Sequence, residues 1–327
     1  ELPHNYSCPQ SYRTPISEEL YPTSYIKNQT INYLKNHYKD EDPFFLFVSF
    51  PDPHHPFNPP GKYWDMYSPE DFNINLTYEA HKNPTPPMKW LYDNWKNESG
   101  QFSPQTAMML DNEKIKQAMA LTGGMISMVD DAIGDIMSVL NNSDQAKNTI
   151  VCFNSDHGDY LGDFNMLLKG ALPFNSVTNV PFIWSDPQNE TRQTSDDLAS
   201  TIDISTTILD RAGIAPFNGM KGKSLISSIQ GEAFTREHLL IEYNDGGARL
   251  GFETPARVRT IITSSYKFNI YLDQDWGELY DLTIDPSETN NLWDDLNYSD
   301  IKANLSLSMN QELIGLMDES PKSKRPA

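Results

Sequence analysis

Apolar residues come in short blocks along this chain, and the blocks change period from one to the next. From Ser24 to His37, Ile26, Ile31 and Leu34 fall on one side of a helical wheel, which predicts a helix. The run PFFLFVSF, Pro43 to Phe50, is apolar at almost every position. Its length and aromatic content predict a strand buried on both faces. PDPHHPFNPP follows and is too rich in proline for regular structure. Residues 61–104 are polar, aromatic and irregular, and predict a long insertion forming one wall of a pocket. Asp111 to Leu140 carries Met119, Ile126, Val129, Ile133, Ile136 and Leu140 at helical spacing. Asp111 is placed to cap that helix, and Gly123-Gly124 marks a kink or a close approach.

Beyond that helix the period shortens. NTIVCFNS predicts a strand ending near Ser155, and VPFIWS predicts another over Val180–Ser185. Ile202–Ala212 predicts a helix stopped by Gly213, and His238–Tyr243 a further strand. Strands alternating with helices predict an α/β domain with a central, mostly parallel sheet flanked by helices over residues 1–250. From Arg257 the pattern becomes hairpin-like, in RVRTIITSSYKFNIYL and GELYDL, before a terminal helix over Ser299–Met317. Residues 251–320 therefore read as a small C-terminal α+β subdomain, and 321–327 as a disordered tail.

Composition narrows the partners. The chain has 327 residues, a net charge of −20 and 38% hydrophobic residues, enough for a sizeable core. Such an acidic surface repels nucleic acid and anionic membranes, so neither is expected as a partner. No apolar run reaches the ~20 residues that cross a bilayer. Two cysteines, Cys8 and Cys152, make no disulfide framework, and Cys152 reads as a small buried hydrophobe within its strand. Nothing in the sequence assigns a compartment.

Candidate chemistry gathers at two strand ends, where α/β sheets bind ligands. His54 and His55, between prolines, follow the first buried run, and Asp156-His157 follows the second. Asp156 offers hard oxygen to a divalent cation, and His157 adds an imidazole or touches substrate. Two adjacent residues fall short of the ~6–8 ligands that Ca²⁺ takes, so others must come from elsewhere. The plainer alternative makes Asp156 a turn cap. Two rigid histidines suit acid–base work or anion binding. Lys169 emerges from the apolar FNMLL and is placed to neutralise an acid such as Asp163 or to bind an oxyanion. Together these residues suggest metal-assisted chemistry on an anionic ester.

The ordered set FFLFVSFPDPHHPFNPPGKYWDMY, GMISMVDDAIGDIMSVL, NTIVCFNSDHGDYLGDFNMLLKG, VPFIWSDP, TIDISTTILDRAGI and GELYDLTIDPSETNNLW resembles the formylglycine-dependent sulfatases of the alkaline phosphatase superfamily. The likeness runs from about residue 20 to near the end of the chain. It implies an alkaline phosphatase-like α/β sandwich and a sulfuric ester hydrolase. By the resemblance, Asp156 and His157 are metal ligands and Lys169 contacts the sulfate. His54, with His55 as the fallback, binds sulfate or assists the leaving group. The implied cation is Ca²⁺, with Mg²⁺ or Mn²⁺ as alternatives. The implied nucleophile is the hydrate of formylglycine, made within C-x-P-S-R.

Here the sequence departs from the pattern. No C-x-P-S-R is present: in SCPQSYR, Pro9 stands one residue after Cys8 rather than two, and Arg13 five after rather than four. The upstream Asp-Asp metal pair is also absent, and Phe164-Asn165 replaces the His-Gly of many relatives. The resemblance thus implies the C-terminal portion of a sulfatase, inactive alone. Its partners would be a sulfate ester and an N-terminal segment, in the same or a separate chain. Two rivals stand beside it: a phosphonate or phosphate monoester hydrolase of the same superfamily, and a non-catalytic relic or binding module. The expected geometry is convergence of His54, Asp156, His157 and Lys169 on one rim.

Overall fold

The computed structural model describes residues 8, 10–37, 43–97, 108–189 and 192–317. The expected 321–327 tail lies outside the described residues, as does the end of the 61–104 insertion. Two long helices open the fold, α1 over Pro22–His37 and, further on, α3 over Asn112–Asn141. They pack together, tied at the surface by Lys27 and Asp135 at 2.8 Å. Asp111 caps α3 as its sequence indicates, its side chain accepting from the Lys114 amide at 3.0 Å. The helix runs unbroken through Gly123-Gly124. Gly124 serves close approach: a Cβ there would lie 2.1 Å from the Tyr63 carbonyl oxygen.

The buried stripe of α3 differs from the one its periodicity predicts. Ile115, Ala118, Leu121, Met125, Met128 and Ala132 face the core, whereas Ile126 is exposed and Val129, Ile133 and Ile136 are half-covered. Apolar residues occupy two sides of this helix, and the described residues cover only one.

Between α1 and α3 the chain is mostly loop, but α2 over Pro86–Lys96 interrupts it. Thr85 at the N-cap and prolines at the first two helical positions start this helix, a signal the irregular reading of 61–104 passed over. Met88 and Leu91 anchor it in the core.

The segment 43–50 departs most from expectation. Its exposure alternates residue by residue, as in an extended chain, yet it forms no ladder among the described residues. Phe45 and Phe47 stand 73% and 77% exposed rather than buried on both faces. A strand is a strand only when a neighbour accepts its hydrogen bonds, and no described segment pairs with this one.

The ladders that do form are antiparallel. β1 over Val151–Asn154 pairs with β2 over Phe182–Ser185, Phe153 opposite Ile183. The connection between them holds only a 3-10 turn at Asp163–Asn165 and the four-residue α4 at Asn175–Thr178, both too short for the helical crossover that parallel strands need. After β2 come α5 (Thr201–Arg211) and α6 (Ile226–Ile229). Then β3 (His238–Asn244), β4 (Arg257–Thr263), β5 (Tyr266–Tyr271) and β6 (Gly277–Asp281) form a four-stranded meander. β3 pairs with β4, so this sheet joins residues on both sides of the expected 250/251 boundary. α7 over Ser299–Gly315 covers one face, with Leu305 and Met309 packed on Ile261, Phe268 and Leu279. Burying each such side chain stabilises by about 1.5–3 kcal/mol. Among the described residues no helix is long and apolar enough to cross a membrane.

Candidate functional site

β1 ends at Asn154, and Ser155 begins a tight polar turn. Asp156 Oδ1 accepts from the His157 amide at 2.9 Å, and Ser155 Oγ donates to the His157 carbonyl at 3.0 Å. The plain capping role of Asp156 is therefore real, but it uses one oxygen. The His157 Nδ1 lies 2.9 Å from the Gly158 carbonyl oxygen, which can only accept, so Nδ1 carries the proton. That leaves the Nε2 lone pair 3.5 Å from Asp156 Oδ2. Two lone-pair donors, one oxygen and one imidazole nitrogen, thus sit side by side on an exposed turn. This suits two ligands of one divalent cation. They are a partial set: among the described residues no group of three or more His, Cys, Asp or Glu is arranged to hold an ion.

His54 and His55 follow the extended 43–50 segment and stack with ring centroids 4.1 Å apart. His54 Nδ1 is 2.6 Å from the His55 carbonyl, so its proton is committed there and Nε2 is left for a ligand. His55 is different. Burial, reinforced by His54 and Lys169, pushes its imidazole down to about 4, so it is neutral at pH 7. Its Nδ1 is buried without a hydrogen-bond partner.

Lys169 takes Asp159 as its acidic neighbour, Nζ to Oδ1 3.9 Å, not Asp163. Burial raises the Asp159 carboxyl above its usual range, while Lys169, His157 and His54 all act against that rise. The four groups therefore lie within electrostatic reach of one another. His54, His55, Asp156, His157 and Lys169 are thus electrostatic neighbours, with Asp159 among them, although only Asp156 and His157 follow a strand. The sequence pattern gives Asp159 no role. Its spacing from Lys169 carries no periodic signal.

The loop after the turn is held from several sides. Phe164 and Asn165 are buried with left-handed backbones. Asn165 accepts from the Tyr78 amide at 2.9 Å and donates to Asn112 Oδ1 at 2.7 Å, binding the 61–104 segment and α3 to the site loop. Tyr78 stacks on Tyr92 of α2 at 4.0 Å, tying two parts of the 61–104 segment together. Cys8 is buried beside Phe57, Ile115 and Leu167, and burial pushes its thiol up to about 12. That environment suits a core residue and opposes a nucleophile. Arg13 pairs with Asp65 at the surface.

Comparison with known proteins matches residues 4–214 to the Sulfatase family and residues 166–314 to the family "N-sulphoglucosamine sulphohydrolase, C-terminal". The chain is 31% identical over 280 residues to an arylsulfatase of Clostridium perfringens (strain 13 / Type A), covering 84% of this chain and 54% of that protein. It is 29% identical over 296 residues to the uncharacterized sulfatase YidJ of Escherichia coli (strain K12), covering 90% of this chain and 55% of that protein. The chain thus spans about half the length of these relatives. Among solved structures, the phosphonate monoester hydrolase of Agrobacterium radiobacter superposes with a TM-score of 0.78. That match has 23% identity and covers 97% of this chain and 67% of that one.

Proposed function

The chain belongs to the sulfatase family and has the α/β fold of the alkaline phosphatase superfamily, and from that premise we propose that it carries the ester-binding half of a sulfuric ester hydrolase. The observation supporting this reading is the cluster itself. An uncommitted imidazole nitrogen of His54, an ammonium on Lys169 and the paired lone pairs of Asp156 and His157 all lie within electrostatic reach of Asp159 in an otherwise strongly acidic protein. A sulfate ester needs a local reversal of field to approach; Lys169 supplies one positive charge, and a divalent cation held by Asp156 and His157 would supply the rest.

In this reading Lys169 neutralises charge on the non-bridging oxygens, held within reach by Asp159. His54, once a second proton sits on Nε2 while Nδ1 stays bonded to the His55 carbonyl, donates to the same oxygens or delivers that proton to the departing alcohol. His55, neutral and enclosed, orients His54 by stacking rather than binding an anion itself. Asp156 and His157 supply two ligands to a divalent cation, Ca²⁺ or alternatively Mg²⁺ or Mn²⁺. Such a cation, when bound, polarises the ester. The remaining ligands and the formylglycine nucleophile come from polypeptide outside these 327 residues, in the same chain or a separate one. A phosphonate or phosphate monoester hydrolase is the second reading, favoured by the superposition on the Agrobacterium enzyme.

The test is turnover of matched sulfate, phosphate and phosphonate monoesters by the full-length polypeptide. We expect sulfate to be preferred and Lys169→Ala to lower kcat by about 100-fold. A phosphonate preference would select the second reading, and indifference to both Lys169→Ala and His54→Ala would remove the site. The 327-residue chain by itself is expected not to hydrolyse either ester, and robust metal-dependent turnover by it would contradict an external nucleophile.

A further inference from the structure

Lysine in a strand ordinarily points to water, but Lys267 of β5 is 1% exposed, as is Glu288 in the loop after β6. The two form a buried ion pair. Both also reach out of the C-terminal sheet to the same short segment. Lys267 Nζ donates to the Pro173 carbonyl at 3.0 Å, with Thr178 Oγ1 at 3.4 Å. Glu288 Oε2 accepts from the Asn175 amide at 2.8 Å. A second buried carboxylate, Glu278, is satisfied separately by Asn269, Tyr271 and Tyr280, which leaves Lys267 to Glu288.

On its other side the 173–178 segment touches the site turn. The Gly158 amide donates to the Val177 carbonyl at 2.9 Å. The approach is so close that a Cβ on Gly158 would fall 1.9 Å from the Ser176 carbonyl oxygen. The segment is thus sandwiched between the ion pair and the turn that carries Asp156 and His157.

Stability alone gives no reason for such a pair. Desolvating two charges costs several kcal/mol each, and apolar replacements of both are often neutral or better. What an apolar pair lacks is direction: it makes no hydrogen bond to a chosen amide or carbonyl. We propose that Lys267 and Glu288 are positioning residues that fix the 173–178 segment and, through Gly158, the Asp156–His157 turn. The functional part rests on reading that turn as the ester site.

The experiment is hydrogen–deuterium exchange by mass spectrometry on the 327-residue chain, with thermal unfolding alongside. The double variant Lys267→Met with Glu288→Met is expected to melt close to the wild type. Its peptides spanning 155–160 and 173–178 should nonetheless exchange about tenfold faster, while α3 peptides stay unchanged. Unaltered exchange at 155–160 in a folded double variant would overturn the proposal, as would faster exchange spread evenly over α3. Should the double variant not fold, Glu288→Gln, which keeps the side chain's shape, carries the same comparison against α3. No substrate enters this measurement, so a full-length protein that hydrolyses nothing would refute the ester-site reading and leave the positioning result standing.

Discussion

His81 should make the folded chain lose stability in mild acid. The residue is buried, with Phe164, Phe174 and Tyr280 edge-on around its ring at 5.2, 5.9 and 6.0 Å. Its Nε2 is 3.0 Å from the Tyr280 hydroxyl, which itself donates to Glu278 Oε1 at 3.0 Å. Tyr280 therefore accepts, and Nε2 carries the proton. Nδ1 is buried with no partner, so a second proton would have nowhere to donate. Burial accordingly lowers the pKa from 6.5 to about 4, against a smaller opposing effect of Asp285. Between those values the unfolded chain binds a proton that the folded chain refuses. Stability is then full above pH 6.5 and falls as pH drops toward 4. At pH 4.5 the loss from this residue is about 2–3 kcal/mol. Pulse proteolysis in urea, at sub-micromolar protein to limit association, would compare wild type with His81→Phe from pH 7.5 to 4.5. Other titrating groups largely cancel in the difference. The variant's disadvantage at neutral pH should shrink or reverse by that amount on acidification. A difference independent of pH would refute the assigned proton and the enclosure of Nδ1.

Two further outcomes follow from packing. Gly124→Ala places a Cβ 2.1 Å from the Tyr63 backbone oxygen, which cannot swing aside, and should cost about 1–3 kcal/mol, read as a lower midpoint in the same assay; an unchanged midpoint would mean that α3 does not pack this closely on 61–63. The exposed apolar side chains Phe45 and Phe47 of the 43–50 segment, and Phe153 and Ile183 facing each other on β1 and β2, should drive self-association of the isolated chain, and Phe45→Lys with Phe47→Lys should shift its size-exclusion profile toward monomer; a wild-type chain already monomeric at high concentration would contradict this.

Local pattern made α1, α3 and the C-terminal hairpins legible, because capping and periodicity are properties of neighbouring residues. It failed where the deciding partner is remote. Residues 43–50 carry every strand signal, yet pairing depends on what lies alongside. In α3 the period-3.6 pattern fits two stripes, and choosing Ile115, Ala118 and Leu121 over Ile126, Val129 and Ile133 requires knowing where the core is. His54, Asp156, His157 and Lys169 stand out as candidates in the sequence because each follows an apolar run. Asp159 differs from a solvated turn acid only through Lys169, ten residues on, at 3.9 Å. Lys267 and Glu288 gave no sign at all, since a lysine in an alternating strand and a glutamate after a proline turn both read as surface.

The site loop has little regular structure of its own. Leu161, Phe164, Asn165 and Leu168 all have positive φ, at 39°, 54°, 61° and 66°. For residues with a Cβ such conformations cost of order 1 kcal/mol or more each, and they persist only where the surroundings over-determine them. Here the surroundings are three bodies that the sequence separates widely. Asn112 at the start of α3 and the 76–78 strip hold Asn165 and Phe164. The Tyr160 hydroxyl donates to the Leu172 carbonyl across the loop. The C-terminal sheet grips 173–178 through Lys267 and Glu288. None of these contacts touches a ligand, yet each removes a way for Asp156, His157 and Lys169 to drift apart. A loop shaped from outside in this way can hold charged groups at fixed separations before any anion arrives, which is the condition under which they stabilise developing charge without reorganising.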